Sequence, residues 1–223
     1  MDWLPALLGG LIALPAGWAM SRYQHLLYRQ PEFRAEPLRN GAWRRLPLIA
    51  APVMAVSTVL ALRPGHYEAG PALLTALFAT VLVVLSSCDF ERRIIPNRLV
   101  QPAILLALAM CWAWPDRSVA DCLWGGAFGL AVGGGLFALG MLTGSLMGIA
   151  VTPFGLGDVR LIILMGLLTG WPAIMTVLFI GVILGGVPAL LMMMTGRSRR
   201  AYSYGPYLAA GGLYALLFMD KFA

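Results

Sequence analysis

Eight apolar runs, each long enough to cross or nearly cross a hydrocarbon core of roughly 30 Å, dominate this chain of 223 residues. They lie at 3–20, 46–62, 71–88, 99–114, 122–142, 159–171, 172–195 and 207–219, the sixth and eighth being short. Runs of this kind read as transmembrane helices, so the expected fold is all-α: a polytopic membrane protein of about eight transmembrane helices. Composition agrees, since 12% of residues are charged where a soluble domain carries about 25%. The first run has Asp2 ahead of it and no basic residue, unlike a cleavable secretory signal, and is read as a retained helix. No repeat or low-complexity segment interrupts the spans, so residues 1–223 are expected to form a single membrane domain, with 21–45 a basic cytoplasmic loop.

The arginines set the orientation. Arg22, Arg29, Arg34, Arg39, Arg44 and Arg45 precede the second run, Arg92, Arg93 and Arg98 follow the third, Arg160 opens the sixth, and Arg197, Arg199 and Arg200 follow the seventh. In an eight-span arrangement these 13 of the 16 basic residues share one side, leaving Arg63, Arg117 and Lys221 opposite. That bias predicts a multi-pass membrane protein with both termini outside and Asp89 and Asp158 at the cytoplasmic face. The pI near 9.7 then reports topology and contact with anionic membrane lipid, and calls for no nucleic acid.

Other reactive residue types point away from a metal. Cys88, Cys111 and Cys122 form no CxxC pair, and are read as small apolar thiols packed among helices, a Cys111–Cys122 disulfide being the alternative. His25 and His66 fall on opposite sides of the membrane. Gly125, Gly129, Gly133, Gly140, Gly144 and Gly148 are spaced for close helix packing. Asp116 and Asp121, on the outer side, are expected to tolerate replacement.

The inner-side aspartates are harder to dismiss. A charge at the bilayer centre costs about 2.5 to 3.5 kcal/mol even on the lenient insertion scale. In FGLGDVRL, residues 154–161, Asp158 stands at the mouth of the sixth run, whose 13 residues rise only about 20 Å and so place it below the inner surface. Gly155 and Gly157 permit a close backbone approach, Pro153 stops an arriving helix, and Asp158 occupies the place of a helix N-cap, which is itself the structural alternative. Asp89 opens DFERRIIPNRLV at the end of the third run, where the helix macrodipole disfavours an anion. Its structural alternative is an interfacial ion pair with Arg92 or Arg93. If the two aspartates face one another, one keeps a proton while the other acts as base. That is the chemistry of aspartic proteolysis.

At these residues the chain resembles the type IV prepilin peptidase family, membrane aspartic proteases that process type IV pilins and type II secretion pseudopilins. DFERRIIPNRL is similar to the family stretch that opens on the first catalytic aspartate and closes on a proline followed by Asp or Asn, here Pro96 and Asn97. FGLGDVRL is similar to its GxGD motif, with Gly155 and Gly157 before the second aspartate, and YGPYLAAGG, residues 204–212, to its FGPxLA opening of the last helix. The three come in family order and bound peptidase core motifs over 89–212. The resemblance implies that Asp89 and Asp158 are the catalytic pair. It also implies that the substrate is a prepilin or pseudopilin precursor, cut on the cytoplasmic side after the glycine ending its basic leader. Glu91, two residues past the first aspartate, is the candidate leader contact, against a solvated charge paired with a neighbouring arginine. Many members carry two CxxC pairs in the first cytoplasmic loop and also methylate the new N-terminus with S-adenosylmethionine. Residues 21–45 contain no cysteine, a departure that excludes zinc there and counts against methyl transfer but not against cleavage, so no cofactor is expected.

Two other readings compete. In a small proton- or cation-coupled transporter, Asp89 and Asp158 would bind the ion, and internal repeats with paired broken helices would be expected; the sequence shows one such break. In an inactive scaffold of a secretion system either aspartate would be dispensable.

Overall fold

The computed structural model describes residues 3–27, 42–146, 155–194 and 203–219. Most of the basic loop, Pro153, the arginines after the seventh run and both chain ends lie outside them. The described residues form eight α-helices, one for each apolar run, and no strand. In order they are α1 (Leu4–Leu27), α2 (Ala42–Ala61), α3 (Ala69–Arg92), α4 (Asn97–Ala109), α5 (Val119–Leu146), α6 (Leu156–Thr169), α7 (Ala173–Met194) and α8 (Gly205–Phe218). A short 3-10 turn, Cys111–Ala113, follows α4. Ala69–Arg92 and Val119–Thr143 are each long and apolar enough to cross a membrane, while the apolar parts of α1, α2, α4, α7 and α8 are shorter. Large apolar side chains stand out from the bundle, among them Ile12 at 69% and Phe179 at 65% exposure. Such a surface suits lipid, not water.

Neighbours in sequence pack as antiparallel pairs, α1 with α2, α5 with α6, and α7 with α8, while α3 lies against α2 and α8. Helix α6 is at the centre, touching α4, α5, α7 and α8. Its Leu161, Ile162, Leu164, Met165 and Leu168 are at most 1% exposed. This explains the short sixth run. A helix of 14 residues rises about 21 Å, and one walled in by protein has no bilayer thickness to match.

Of the glycines expected to allow close packing, Gly125, Gly129 and Gly133 of α5 meet α6 closely, while Gly148 lies outside the described residues. A Cβ on Gly125 would sit 2.3 Å from the carbonyl oxygen of Gly166, and one on Gly166 would sit 2.2 Å from that of Gly125. Two backbones meet at that crossing, and neither side has a rotamer with which to yield.

The end of the bundle away from Asp89 is closed by a polar network. Trp114, 1% exposed, donates its indole N–H to Thr75 Oγ1 at 3.0 Å. Arg117 pairs with Asp116 at 3.2 Å, donates to the Tyr67 hydroxyl at 3.0 Å, stacks over the Trp114 ring at 5.0 Å and donates to the carbonyl of Leu168 on α6. Tyr67 in turn donates to Asp116 Oδ2 at 2.9 Å, and burial pushes its phenol well above the usual tyrosine range. Arg117 and Asp116 are only 8% and 12% exposed, so the expectation that Asp116 is a dispensable loop charge gives way to a packed ion pair. Asp121 differs: it sits in an exposed N-terminal turn of α5 with Ser118. Cys111 and Cys122 are buried free thiols, the Cys122 Sγ lying 3.8 Å from the Cys111 carbonyl oxygen.

Candidate active site

Three helix ends converge at the other end of the bundle. Helix α3 delivers Asp89 in its last turn and stops where Arg93 turns left-handed, at φ 56° and ψ 34°, its N–H closing onto the Asp89 carbonyl at 2.7 Å. A non-glycine residue seldom takes that conformation. Here it reverses the chain into Ile94, Ile95 and Pro96, and α4 starts at Asn97.

The reversal brings the stretch IIPN onto GLGD. Ile95 is 7% exposed and packs on Gly157, where an added Cβ would meet the Ile95 Cβ at 3.0 Å. The Asn97 side-chain oxygen accepts from the Arg160 guanidinium. Arg160 therefore serves the α4–α6 junction, two residues beyond an aspartate it does not face. Pro96, Asn97, Gly155 and Gly157, expected to support the motifs, thus meet in one joint.

Asp158 is placed one turn differently from expectation. The helix begins at Leu156 with Gly155 as its N-cap, and Asp158 is the third helical residue. Its Oδ2 reaches back to accept the Gly155 N–H at 3.0 Å. Glycine has no side chain to return the bond, so this is half of a capping box, with the acidic residue at the third position supplying the oxygen. The expected cap is real in kind, although the capping residue lies inside the helix.

Asp89, 6% exposed, does not take its hydrogen bonds from the neighbouring arginines. Its Oδ2 accepts from the Ser203 hydroxyl and from the backbone N–H of Gly205 at 2.9 Å, the first residue of α8. The carboxylate that the C-terminus of α3 disfavours is satisfied at the N-terminus of α8, whose own N-cap residue, Tyr204, makes no side-chain cap. Gly205 has to be glycine, since a Cβ there would lie 2.6 Å from Asp89 Oδ2.

The two aspartates come to the same end of the bundle: Asp89 is bonded to the start of α8, and the turn that follows it packs Ile95 on Gly157, the residue before Asp158. Tyr204 stands beside them, its phenol pushed up by burial and then by the charge of Asp158. Next to Asp89 a largely apolar groove of about 320 Å³ opens between α2, α3 and α8, lined by Val53, Val83, Phe90, Pro206 and Leu213 among others. Glu91, expected as a leader contact, is 5% exposed and is no solvated surface charge.

Ser203 and Gly205 are the site residues that the sequence did not assign. Gly205 lies in the stretch YGPYLAAGG, the third matching motif, which was given no role, and Ser203 stands one residue ahead of it.

Among the described residues no group of three His, Cys, Asp or Glu side chains is placed to hold a metal ion. The profile of the type IV leader peptidase family matches residues 76–190. A prepilin leader peptidase/N-methyltransferase of Stutzerimonas stutzeri is 30% identical over 184 residues, 80% of this chain and 60% of that protein. Proteins with the same name from Aeromonas hydrophila and Pseudomonas aeruginosa are each 28% identical, over 79% and 80% of this chain and 59% and 60% of their own length. The chain thus spans about 60% of the length of these curated relatives. No solved structure matches it.

Proposed function

We propose that this chain, which belongs to the type IV leader peptidase family, is a membrane aspartic endopeptidase that removes the basic leader of type IV pilin or type II secretion pseudopilin precursors, with Asp89 and Asp158 as its catalytic pair. The observation that carries the reading is the convergence of the two. They lie 69 positions apart in sequence, on the end of one helix and the start of another, yet the turn leaving Asp89 packs directly on the glycine before Asp158.

Such a pair does the chemistry with its own atoms. The ionised carboxylate takes a proton from a water as that water attacks the scissile carbonyl. The protonated partner donates a hydrogen bond to the carbonyl oxygen and then passes its proton to the leaving amine. The apolar groove between Phe90 and Pro206, the chain neighbours of Asp89 and Gly205, suits the apolar segment that follows such a leader.

Orientation follows from the charge bias of the sequence, in which 13 of the 16 basic residues fall on one side of an eight-span arrangement: the Asp89 end of the bundle, to which Arg92, Arg93, Arg98 and Arg160 belong, faces the cytoplasm of a bacterial inner membrane and its anionic lipid. The methyltransferase named for the relatives is not assigned to this chain. Residues 21–45 hold no cysteine, and no step above runs through S-adenosylmethionine.

The test is leader cleavage by Asp89→Asn and Asp158→Asn, purified in detergent and given a precursor whose basic leader ends in glycine. Each variant is expected to bind precursor and cut nothing, and the double variant to be scarcely worse than either, as residues acting as a unit require. Cleavage at near wild-type rate by either single variant removes the reading.

A further inference from the structure

We propose that Ser203 is a positioning residue that, together with the Gly205 amide, holds Asp89 as the ionised member of the pair and leaves Asp158 to carry the shared proton. The proposal rests on the endopeptidase reading and divides its labour.

The two carboxyl groups are not held alike. Asp89 Oδ2 receives two donors, the Ser203 O–H and the Gly205 N–H at 2.9 Å. Both come from a segment more than 110 positions away in sequence, so they are fixed by the fold of α8 and not by the turn that carries Asp89. Asp158 Oδ2 receives one donor, from Gly155 three residues earlier in its own chain. Donors favour the charged form. Two donors converging on a single oxygen suit a carboxylate, which has lone pairs to spare and no proton to place.

Ser203 is the adjustable half of this arrangement. The Gly205 N–H belongs to the first turn of a 14-residue helix and cannot be removed without losing α8. A hydroxyl one residue ahead of the N-cap can be deleted, lengthened or weakened while the helix stays in place.

The experiment asks which carboxylate is ionised, independently of any substrate. The full-length protein in detergent is treated with 1,2-epoxy-3-(4-nitrophenoxy)propane, and the labelled residue is located by mass spectrometry of its peptides. A carboxylate oxygen attacks the terminal epoxide carbon, forming an ester C–O bond. The ring C–O bond breaks, and the alkoxide takes a proton from water. Wild-type protein is expected to label at Asp89 in preference to Asp158. Ser203→Ala, and Ser203→Cys with its weak donor, should lower that preference by about tenfold, the order of one hydrogen bond to a charged group. Ser203→Thr, which keeps the hydroxyl, should retain it. Simple widening of the site would raise Asp89 labelling, the opposite direction. In cleavage of a precursor, Ser203→Ala should lose about tenfold in kcat with KM within about twofold, and Ser203→Thr should recover it. Preferential labelling of Asp158 in the wild type, or a ratio unmoved in both Ser203→Ala and Ser203→Cys, overturns the proposal even if both aspartates prove essential for cleavage. Dispensable aspartates overturn the endopeptidase reading instead, whatever the labelling ratio.

Discussion

The backbone amide of Gly205 donates to the carboxylate of Asp89 at 2.9 Å, so an oxygen carried by the last turn of α3 caps the start of α8. The carboxylate of one helix completes the N-terminus of another, and the space between them admits no side chain.

Gly205→Ala tests that fit. The new methyl would lie 2.6 Å from Oδ2, and the carboxylate must move by a substantial fraction of an ångström or α8 must retreat. A misplacement of about 1 Å can cost on the order of a hundredfold in rate, so leader cleavage should fall by about that factor while the protein remains membrane-inserted. Full activity in this variant would show that the Asp89–Gly205 contact does not set the geometry.

Asp158→Asn separates chemistry from capping. An amide oxygen still accepts the Gly155 N–H that Asp158 accepts at 3.0 Å, so the thermal midpoint in detergent should stay close to wild type. Asp158→Ala should lose about 1 kcal/mol of stability as well, the usual worth of such a cap. Equal destabilisation by the two substitutions would mean that the carboxylate's charge, not its oxygen, supports the fold.

Asp116 and Asp121, both acidic and both at the end of the bundle away from Asp89, should part company. Removing Asp116 leaves the Arg117 guanidinium in a pocket where it is 8% exposed, and orphaning one member of a buried pair costs about 3 kcal/mol or more. Asp121→Ala removes only exposed turn contacts with Ser118, worth about 1 kcal/mol. Calorimetric or fluorescence melting of the two variants in detergent decides, and similar midpoints would argue that the Asp116 network is loosely made.

The α5–α6 crossing should be intolerant of a single methyl group. Gly125→Ala forces a Cβ to within 2.3 Å of a backbone oxygen. Overpacking of this kind costs about 1–3 kcal/mol, to be read as a lowered melting midpoint. Gly134→Ala on the same helix, where nothing lies within 4 Å, is the matched control and should be neutral.

Orientation is tested by labelling in intact cells. In a cysteine-free background, a cysteine replacing exposed Glu68, beside the Tyr67 network, should react with an impermeant thiol reagent. A cysteine replacing exposed Arg98, in the first turn of α4, should react only after the membrane is opened. The reverse pattern would put the aspartates on the wrong side for a cytoplasmic leader.

The helices were legible in the sequence to within a few residues because lipid imposes apolarity along a whole span, and every apolar run holds one helix. The two aspartates were legible because a carboxylate is costly where they stand. Their supports were less so. GLGD is spelled identically whether the aspartate caps the helix from outside or reaches back from its third position, and only the backbone of 155–158 distinguishes the two. Ser203 lies 114 positions from Asp89, a separation that no local periodicity spans. Arg117 was counted as a loop charge because charge counting by loop does not see a pocket assembled from Tyr67, Trp114 and the last turn of α6.

That last turn carries a mechanical consequence for Asp158. Helix α6 is gripped near its first turn by Asn97 through Arg160, and near its last by Arg117 on the Leu168 carbonyl. A rod clamped at both ends neither slides nor tilts without releasing one clamp. The depth at which Asp158 is presented is therefore gauged in part from the opposite end of the bundle, by a loop that never approaches the carboxylates.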